Sequence, residues 1–488
     1  MKDYLEIKTL GQLKKSGYKS ISIREEMRKN LIEKIKSGEQ VFKGIYGYEE
    51  TVIPQLERAI LSGHHVNFLG LRGQAKTRMA RMMIQLLDEW IPIIEGSEIN
   101  DDPLAPMSKY ARDLCAKLGD ETPISWLHSS ERYTEKLATP DVSISDLIGD
   151  IDPIKAARLK ASYAEEEAIH FGLIPRSHRC IFVINELPDL APRIQVSLFN
   201  ILQEGDIQIR GFKFRFPFDI YFVFTANPED YTSRGAIITP LKDRIQSQIF
   251  THYPEDIETA KKITKQEIKL NTEPFKVVFP PLIEDLIEQI AVEARTSDFV
   301  DEKSGVSARL SISAYESIHS AVVQRMLRTN QTEGSVRISD LYAAIPAIVG
   351  KVELVYEGEQ EGAASVAIKL IGAAMQTVAA FYFKDIDLLK RKTTTEPKRK
   401  YQAIISWFEE GGVVELKSYS TDAEYKLAIE SVKGIDGLIP KMPGNEILLK
   451  ELLLHVLAEY LFIERKLDGG HFLFQDQLYS ALKDIHKN

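Results

Sequence analysis

Three short apolar runs, each ending in a polar or glycine-containing segment, constrain the fold of this chain more than any other feature. They lie at 64–69, 179–184 and 220–225. Runs of this length without polar alternation suit strands buried on both faces. Between them the apolar spacing becomes helical, at 51–62, 77–90, 154–171 and 194–203. Strand and helix in alternation predict a parallel α/β sheet covered on both sides. A further helix is predicted at 20–38, closed by Gly38, and a hairpin at 206–211 with 214–216. Within 77–90, Met79, Met82, Met83, Leu86, Leu87 and Trp90 share one face, which reads as core because methionine fills irregular gaps.

The rest of the chain divides by pattern. Residues 95–140 are rich in Asp, Pro and Ser and read as a loop-rich insertion. After Pro254 the strand signal fades, and 257–270, 282–295, 307–328 and 337–349 read as helices of a small all-helical domain. Residues 390–400 carry six basic residues in eleven and read as a solvated linker rather than a nucleic-acid contact. The predicted division is an N-terminal helical arm at 1–43, an α/β core at 44–254 with an insertion near 95–145, a helical lid at 255–350, and an α+β extension at 351–488. At roughly 100–200 residues per domain, 488 residues accommodate such a division.

Composition removes several classes. A formal net charge of −9 gives no general attraction to nucleic acid. Two cysteines, Cys115 and Cys180, exclude a disulfide framework and are too few for a cysteine-built zinc site; they fit a reducing compartment. The first twenty residues lack the apolar centre of a signal peptide. The most apolar stretch, 366–383, contains Lys369 and reads as a buried helix rather than a membrane span. The expectation is a cytoplasmic protein.

The strongest local motif is Gly70-Leu71-Arg72-Gly73-Gln74-Ala75-Lys76-Thr77, followed by Arg78. It has the form of the phosphate-binding loop G-x-x-x-x-G-K-[ST], with Ala75 in place of the last glycine. It follows a predicted strand and opens a predicted helix, the context in which backbone N–H groups cradle a phosphate. Lys76 then reaches the β/γ-phosphates of ATP and the Thr77 hydroxyl reaches Mg²⁺. Ala75 is compatible with this loop if its φ stays negative.

Two further strands end in polar residues. Cys180-Ile181-Phe182-Val183-Ile184 leads into Asn185-Glu186, and Phe222-Val223-Phe224-Thr225-Ala226 into Asn227. The first resembles a Walker B strand, whose usual Asp–Glu pair holds Mg²⁺ and polarises the attacking water. Here Asn185 stands at the metal position without a charge, while Glu186 keeps the position of the general base. Leu241-Lys242-Asp243-Arg244 and Ser307-Ala308-Arg309-Leu310 follow.

In this order the motifs resemble those of the AAA+ superfamily, in particular the magnesium chelatase ATPase subunit and the MoxR-type ATPases. Gly44-Ile45-Tyr46-Gly47-Tyr48-Glu49-Glu50 is similar to the segment ahead of the nucleotide loop in that family. Leu147 to Asp152 with Gly172-Leu173-Ile174 is similar to its helix-2 insertion, and Glu204-Gly205-Asp206 to Arg210-Gly211 to its pre-sensor hairpin. The likeness covers roughly 40–350. It implies a P-loop AAA+ core in which Asn227 is the sensor 1 residue, Arg244 an arginine finger acting in a neighbouring subunit, and Arg309 the sensor 2 residue. It also implies a ring, expected to be a hexamer, and a partner carrying a von Willebrand factor A domain. Two alternatives remain beside an ATP-hydrolysing motor: a nucleotide-dependent scaffold with little hydrolysis, because of Asn185, and a DNA-associated AAA+ protein. The acidic balance and the lack of a recognisable DNA-binding helix pair count against the last.

Overall fold

A computed structural model describes residues 5–155, 166–204, 206–207, 216–228, 236–270, 274–384, 386, 400–440, 442, 444–465 and 472–475. The chain forms two compact units, Met1–His252 and Tyr253–Asn488.

The first unit is built on a five-stranded parallel sheet. Its strands are β1 (Val66–Leu69), β2 (Tyr133–Leu137), β3 (Cys180–Asn185), β4 (Ile220–Ala226) and β5 (Ser247–Phe250), in the spatial order β5-β1-β4-β3-β2. The three predicted strands are its centre. Because side chains alternate along a strand, β3 feeds two cores. Ile181 and Val183 join one cluster with Val66, Phe68 and Val223, while Phe182 and Ile184 join the other with Phe222 and Phe224.

Helices close both faces. On the first lie α1 (Ile23–Ser37), α2 (Val52–Leu61) and α3 (Lys76–Met82), contributing Met27, Leu31, Leu56 and Met79. On the second lie α4 (Pro192–Glu204) and α5 (Thr239–Arg244), contributing Ile194, Leu198 and Leu241. Each fully buried Val, Leu, Ile or Phe of this kind stabilises the fold by about 1.5–3 kcal/mol. Helix α1 starts at a capping box formed by Ser22 and Glu25 and stops at Gly38, whose φ is 73°.

Several expectations change. The segment 95–140 is not mainly loop: it contains the helix Lys109–Leu118, the strand Ile124–His128 and the sheet strand β2. β2 reads Tyr-Thr-Glu-Lys-Leu, polar enough to hide its place, because it is an edge strand half open to solvent. β5 has only four residues and gives little periodic signal.

The helix predicted for 77–90 ends sooner. α3 passes into a 3₁₀ turn, Met83–Leu86, and Trp90 begins a strand, Trp90–Ile94, antiparallel to Ile124–His128. Met79, Met83, Leu86 and Leu87 are buried as the core reading expects, whereas Trp90 is 36% exposed. The helix predicted for 154–171 is also cut short. Its middle, 156–165, lies outside the described residues, and Ile169–Phe171 is a strand paired with Gly149–Ile151. Of the predicted hairpin, Asp206 pairs with Pro217 and Ile207 with Phe216; 208–215, including Arg210 and Gly211, lie outside the described residues.

The second unit is mostly helical. Its main helices are α6 (Pro281–Thr296), α7 (Arg309–Thr329), α8 (Ala363–Tyr382) and α9 (Glu446–Arg465). The predicted helix at 337–349 is a 3₁₀ helix, Ile338–Ala344, running into Ile345–Val349. The buried Glu451 carboxylate accepts the backbone N–H groups of Ile338 and Ser339 at 2.8 and 3.0 Å and so caps it. Two small parallel pairs interrupt the helices: Lys276–Val278 with Glu333–Ser335, and Val414–Lys417 with Phe472–Gln475.

One apolar core joins Leu282 to Leu457. α8 is long and apolar enough to cross a membrane, but Val366, Leu370, Ile371, Ala374, Met375 and Val378 are buried in this core, as the buried-helix reading expects. Residues 390–399 of the basic segment lie outside the described residues.

A buried ion pair ties α1 to the start of β2. Arg132 donates two bonds of 2.6 Å to Glu26, with side chains 1% and 4% exposed. Arg132 also donates to the Arg179 carbonyl at 3.0 and 2.8 Å, and Glu26 accepts the Asp88 N–H at 2.6 Å. Removing one partner strands a buried charge. Glu26→Ala is expected to lower the unfolding free energy by about 3–5 kcal/mol, read by urea denaturation of the whole chain.

Candidate nucleotide-binding site

The loop 70–77 leaves the carboxyl end of β1, and packing fixes its first residue. Gly70 N donates to the Ala226 carbonyl at 3.1 Å, and Thr251 N donates to the Leu69 carbonyl at 2.9 Å. A Cβ on Gly70 would stand 2.0 Å from Thr251 Oγ1 and 2.2 Å from Gln74 Oε1. Only glycine fits there. Gln74 is buried and accepts the Thr251 hydroxyl at 2.7 Å, so its side chain braces the loop from inside. The Tyr48 hydroxyl lies 3.1 Å from the Gln74 carbonyl and 2.7 Å from that of His252. The segment 44–50 therefore props the loop, a role not read from sequence.

Gly73 has φ 76° and Ala75 has φ 55°, ψ 13°. The condition set for Ala75, a negative φ, is thus not met. Alanine occupies the left-handed conformation that glycine takes at lower cost, because Cβ crowds the following carbonyl there. The surrounding bonds of Gln74 and Thr251 hold the turn against that preference.

Lys76 and Thr77 open α3 directly after this turn. Lys76 Nζ donates to the carbonyls of Gly70 and, at 2.8 Å, Leu71, and to Asn227 Oδ1 at 2.8 Å. Asn227 follows β4, whose Ala226 is in register with Leu69 of β1, so both loops leave the sheet at the same level. The structure therefore brings together the expected phosphate lysine and the expected sensor asparagine.

Thr77 Oγ1 donates to Asn185 Oδ1 at 3.3 Å, and Thr225 Oγ1 donates to the same oxygen at 3.1 Å. Glu186 N donates to Thr225 Oγ1 at 3.1 Å. Glu186 has φ 57°, ψ 49°, a left-handed residue directly after a buried strand. Such a conformation costs of order 1–3 kcal/mol and persists only where neighbours impose it. Here the Thr225 bond and the following 3₁₀ turn, Leu187–Asp189, do so.

One participant was not anticipated. Glu135 of β2 accepts Asn185 Nδ2 at 2.7 Å, Tyr133 OH at 3.0 Å, and Arg81 through Nε at 2.9 Å and Nη2 at 3.0 Å. Burial opposes its ionisation, but the bonds from Arg81, Tyr133 and Asn185 outweigh it and hold the carboxyl below the usual glutamate range. The only sequence signal was a glutamate among alternating residues, unreadable without knowing that β2 pairs with β3.

Arg244, Arg78 and Arg309 complete the set named from sequence. Arg244 ends α5 and turns back on its own unit: Nε donates to Gln203 Oε1 at 2.9 Å, Nη1 to the Pro240 carbonyl at 2.9 Å, and the guanidinium stacks 3.7 Å from the Phe199 ring centroid. Arg78 is exposed on α3, one residue beyond Thr77. Arg309, also exposed, opens α7 in the second unit.

The donor set fits a nucleotide with Mg²⁺. It offers an ammonium, a hydroxyl and a glycine-opened turn with two left-handed residues ahead of a helix. Among the described residues no group of three or more His, Cys, Asp or Glu side chains is arranged to hold a metal. Mg²⁺ would thus be held by the Thr77 hydroxyl and the Asn185 amide together with phosphate oxygens, as hard cations with few protein ligands are. Relieving the strain at the turn should stabilise the unit. Ala75→Gly is expected to raise the unfolding free energy by about 1 kcal/mol, while Gly70→Ala lowers it and abolishes nucleotide binding, read by thermal melting and by titration of a fluorescent ATP analogue.

No protein-family model matches the chain. Among solved structures it is similar to one chain of the complex between subunits BchI and BchD of magnesium chelatase, at 20% identity over 65% of this chain and 97% of that one, with a TM-score of 0.34. It is also similar to NtrX of Brucella abortus in complex with ADP, at 14% identity over 65% of this chain and 61% of that one, TM-score 0.35. A candidate ATPase of Cytophaga hutchinsonii matches at 17% identity over 72% of this chain and 95% of that one, TM-score 0.29. At these values the functional reading rests on this chain's own residues. In the succession of its loop and polar strand ends, the chain resembles ATPases of the AAA+ superfamily.

Proposed function

We propose that this protein is an ATP-binding and ATP-hydrolysing remodelling motor of the AAA+ type, similar to the magnesium chelatase ATPase subunit and the MoxR ATPases, that acts on or with a partner protein. The observation that carries the reading is the meeting of Lys76, Thr77, Asn185, Glu186 and Asn227 at the carboxyl ends of β1, β3 and β4. Ligands of open α/β sheets bind in the crevice outside the carboxyl ends of the strands.

In this reading the loop 70–77 wraps the phosphates and Lys76 exchanges its carbonyl partners for phosphate oxygens. Thr77 and Asn185 would hold Mg²⁺, and the chemistry it supplies when bound is neutralisation of charge at the phosphates. Glu186 takes a proton from the attacking water, and Asn227 orients that water. Arg244 would leave Gln203 and Phe199 to act at the nucleotide of a neighbouring subunit, and the ring this requires, by resemblance a hexamer, is part of the same proposal. Arg309 acts as the second sensor. A von Willebrand factor A domain partner and a cytoplasmic setting complete the proposal. A nucleotide-dependent scaffold is the second reading, favoured by the uncharged Asn185 and the strained Ala75.

Steady-state Mg²⁺-dependent ATP hydrolysis across a range of protein concentrations separates the two. The motor reading expects turnover that rises cooperatively with concentration. Lys76→Ala should lose binding and turnover together. Glu186→Gln should keep binding and lose about 10²–10⁴-fold in rate. Arg244→Ala should keep binding and lose about 10³-fold or more. Binding without turnover in the unmodified chain, or turnover indifferent to Glu186→Gln, would overturn it.

A further inference from the structure

The Asn185 amide has a donor end and an acceptor end, and its neighbours decide which faces Thr77. Thr225 already accepts the Glu186 N–H, so its one hydroxyl proton goes to Asn185 Oδ1 at 3.1 Å. The Thr77 hydroxyl donates to the same oxygen at 3.3 Å. On the other side stands Glu135, a carboxylate that only accepts, 2.7 Å from Asn185 Nδ2. The amide therefore has one orientation: nitrogen toward Glu135, oxygen toward Thr77. Asn185 is 8% exposed, so this orientation is set in a largely water-free layer, where one hydrogen bond polarises the next.

Glu135 occupies the place from which a missing charge would be restored. β2 lies beside β3 with Glu135 opposite Val183 and Leu137 opposite Asn185, so its side chain reaches along the sheet to the end of β3. Arg81, one turn after Thr77 on α3, and Tyr133 hold the carboxylate from its far side. The Arg81 side chain is 62% exposed, so solvent screens its charge, whereas the bond to Asn185 faces inward.

The geometry points to Glu135 as the carboxylate of the Mg²⁺–nucleotide site: acting through Asn185, it turns the amide oxygen toward Thr77 and supplies the negative charge that asparagine lacks. Glu135 is thus a positioning residue, and Asn185 with Glu135 together do the work of one aspartate. The inference rests on the reading of 70–77 as a Mg²⁺–ATP loop.

Partners that orient a metal ligand typically contribute about 10–100-fold in metal affinity. The test is the Mg²⁺ dependence of nucleotide binding, measured with a fluorescent ATP analogue in EDTA and across a Mg²⁺ titration, with thermal melting alongside. Glu135→Gln keeps the size and, through its amide oxygen, the acceptor for Asn185; it removes the charge and the second acceptor that serves Arg81 Nε and Tyr133 OH, a loss the Arg81→Gln variant controls for. It is expected to raise the Mg²⁺ concentration needed for half-maximal enhancement about 10-fold, with binding in EDTA changed less than about twofold. Adding Asn185→Asp to Glu135→Gln should restore the wild-type Mg²⁺ dependence. Arg81→Gln should leave that dependence intact or strengthen it.

Unchanged Mg²⁺ dependence in Glu135→Gln would overturn this proposal alone. So would an equal loss in Arg81→Gln, which would make Glu135 merely the partner of Arg81. If the unmodified chain binds no nucleotide with or without Mg²⁺, the nucleotide reading fails and this inference with it.

Discussion

A parallel sheet covered on both faces penalises polar side chains within its strands and admits them most readily at the strand ends. That constraint organises the first unit. β1, β3 and β4 are buried along their whole length, and apart from Asn67 and Tyr221 their polar side chains gather where they stop. Their register aligns Leu69 with Ala226, so Gly70 and Asn227 leave the sheet side by side. The polar atoms that cannot leave, on Asn185 and Thr225, pair with one another and with Thr77, Glu186 and Glu135. The site is the place where β3 and β4 pair the polar groups at their carboxyl ends.

Such a network stays in place only if the strands around it do. β2 carries Glu135 yet lies at the sheet edge, where fewer contacts define its position. The Arg132–Glu26 pair anchors its start to α1, deep enough that neither charge meets water. A buried pair of this kind adds little net stability, but it strongly penalises any arrangement that separates its partners. Its value here is in fixing where β2 begins, and hence where Glu135 ends up.

Two non-glycine residues in the left-handed region flank the same small volume, Ala75 in the loop and Glu186 after β3. Each sits where close packing or a hydrogen bond leaves no other path for the backbone. At Glu186 the strain turns the chain sharply out of a buried strand, which puts a carboxylate at the sheet edge immediately beyond Asn185. At Ala75 it lets Lys76 and Thr77 begin α3 facing the ends of β3 and β4.

The sequence alone determined the parts governed by local rules. Apolar runs marked β1, β3 and β4, helical spacing marked α1, α2, α6 and α7, and residue order marked Lys76, Thr77, Asn185, Glu186 and Asn227 as a set. These were legible because a fully buried strand and a glycine turn before a helix each leave a one-dimensional trace. Tertiary structure decided the rest. β2 was hidden in a polar stretch, because an edge strand is only half buried and alternates with solvent-facing residues. The positive φ of Ala75 arises from Gln74 and Thr251, the latter 176 residues away along the chain. Arg244, legible as a motif, folds against Gln203 and Phe199. Glu135 acquires its meaning only from pairing with β3. No spacing rule links position 135 to position 185, because which strands become neighbours is settled by packing of the whole sheet.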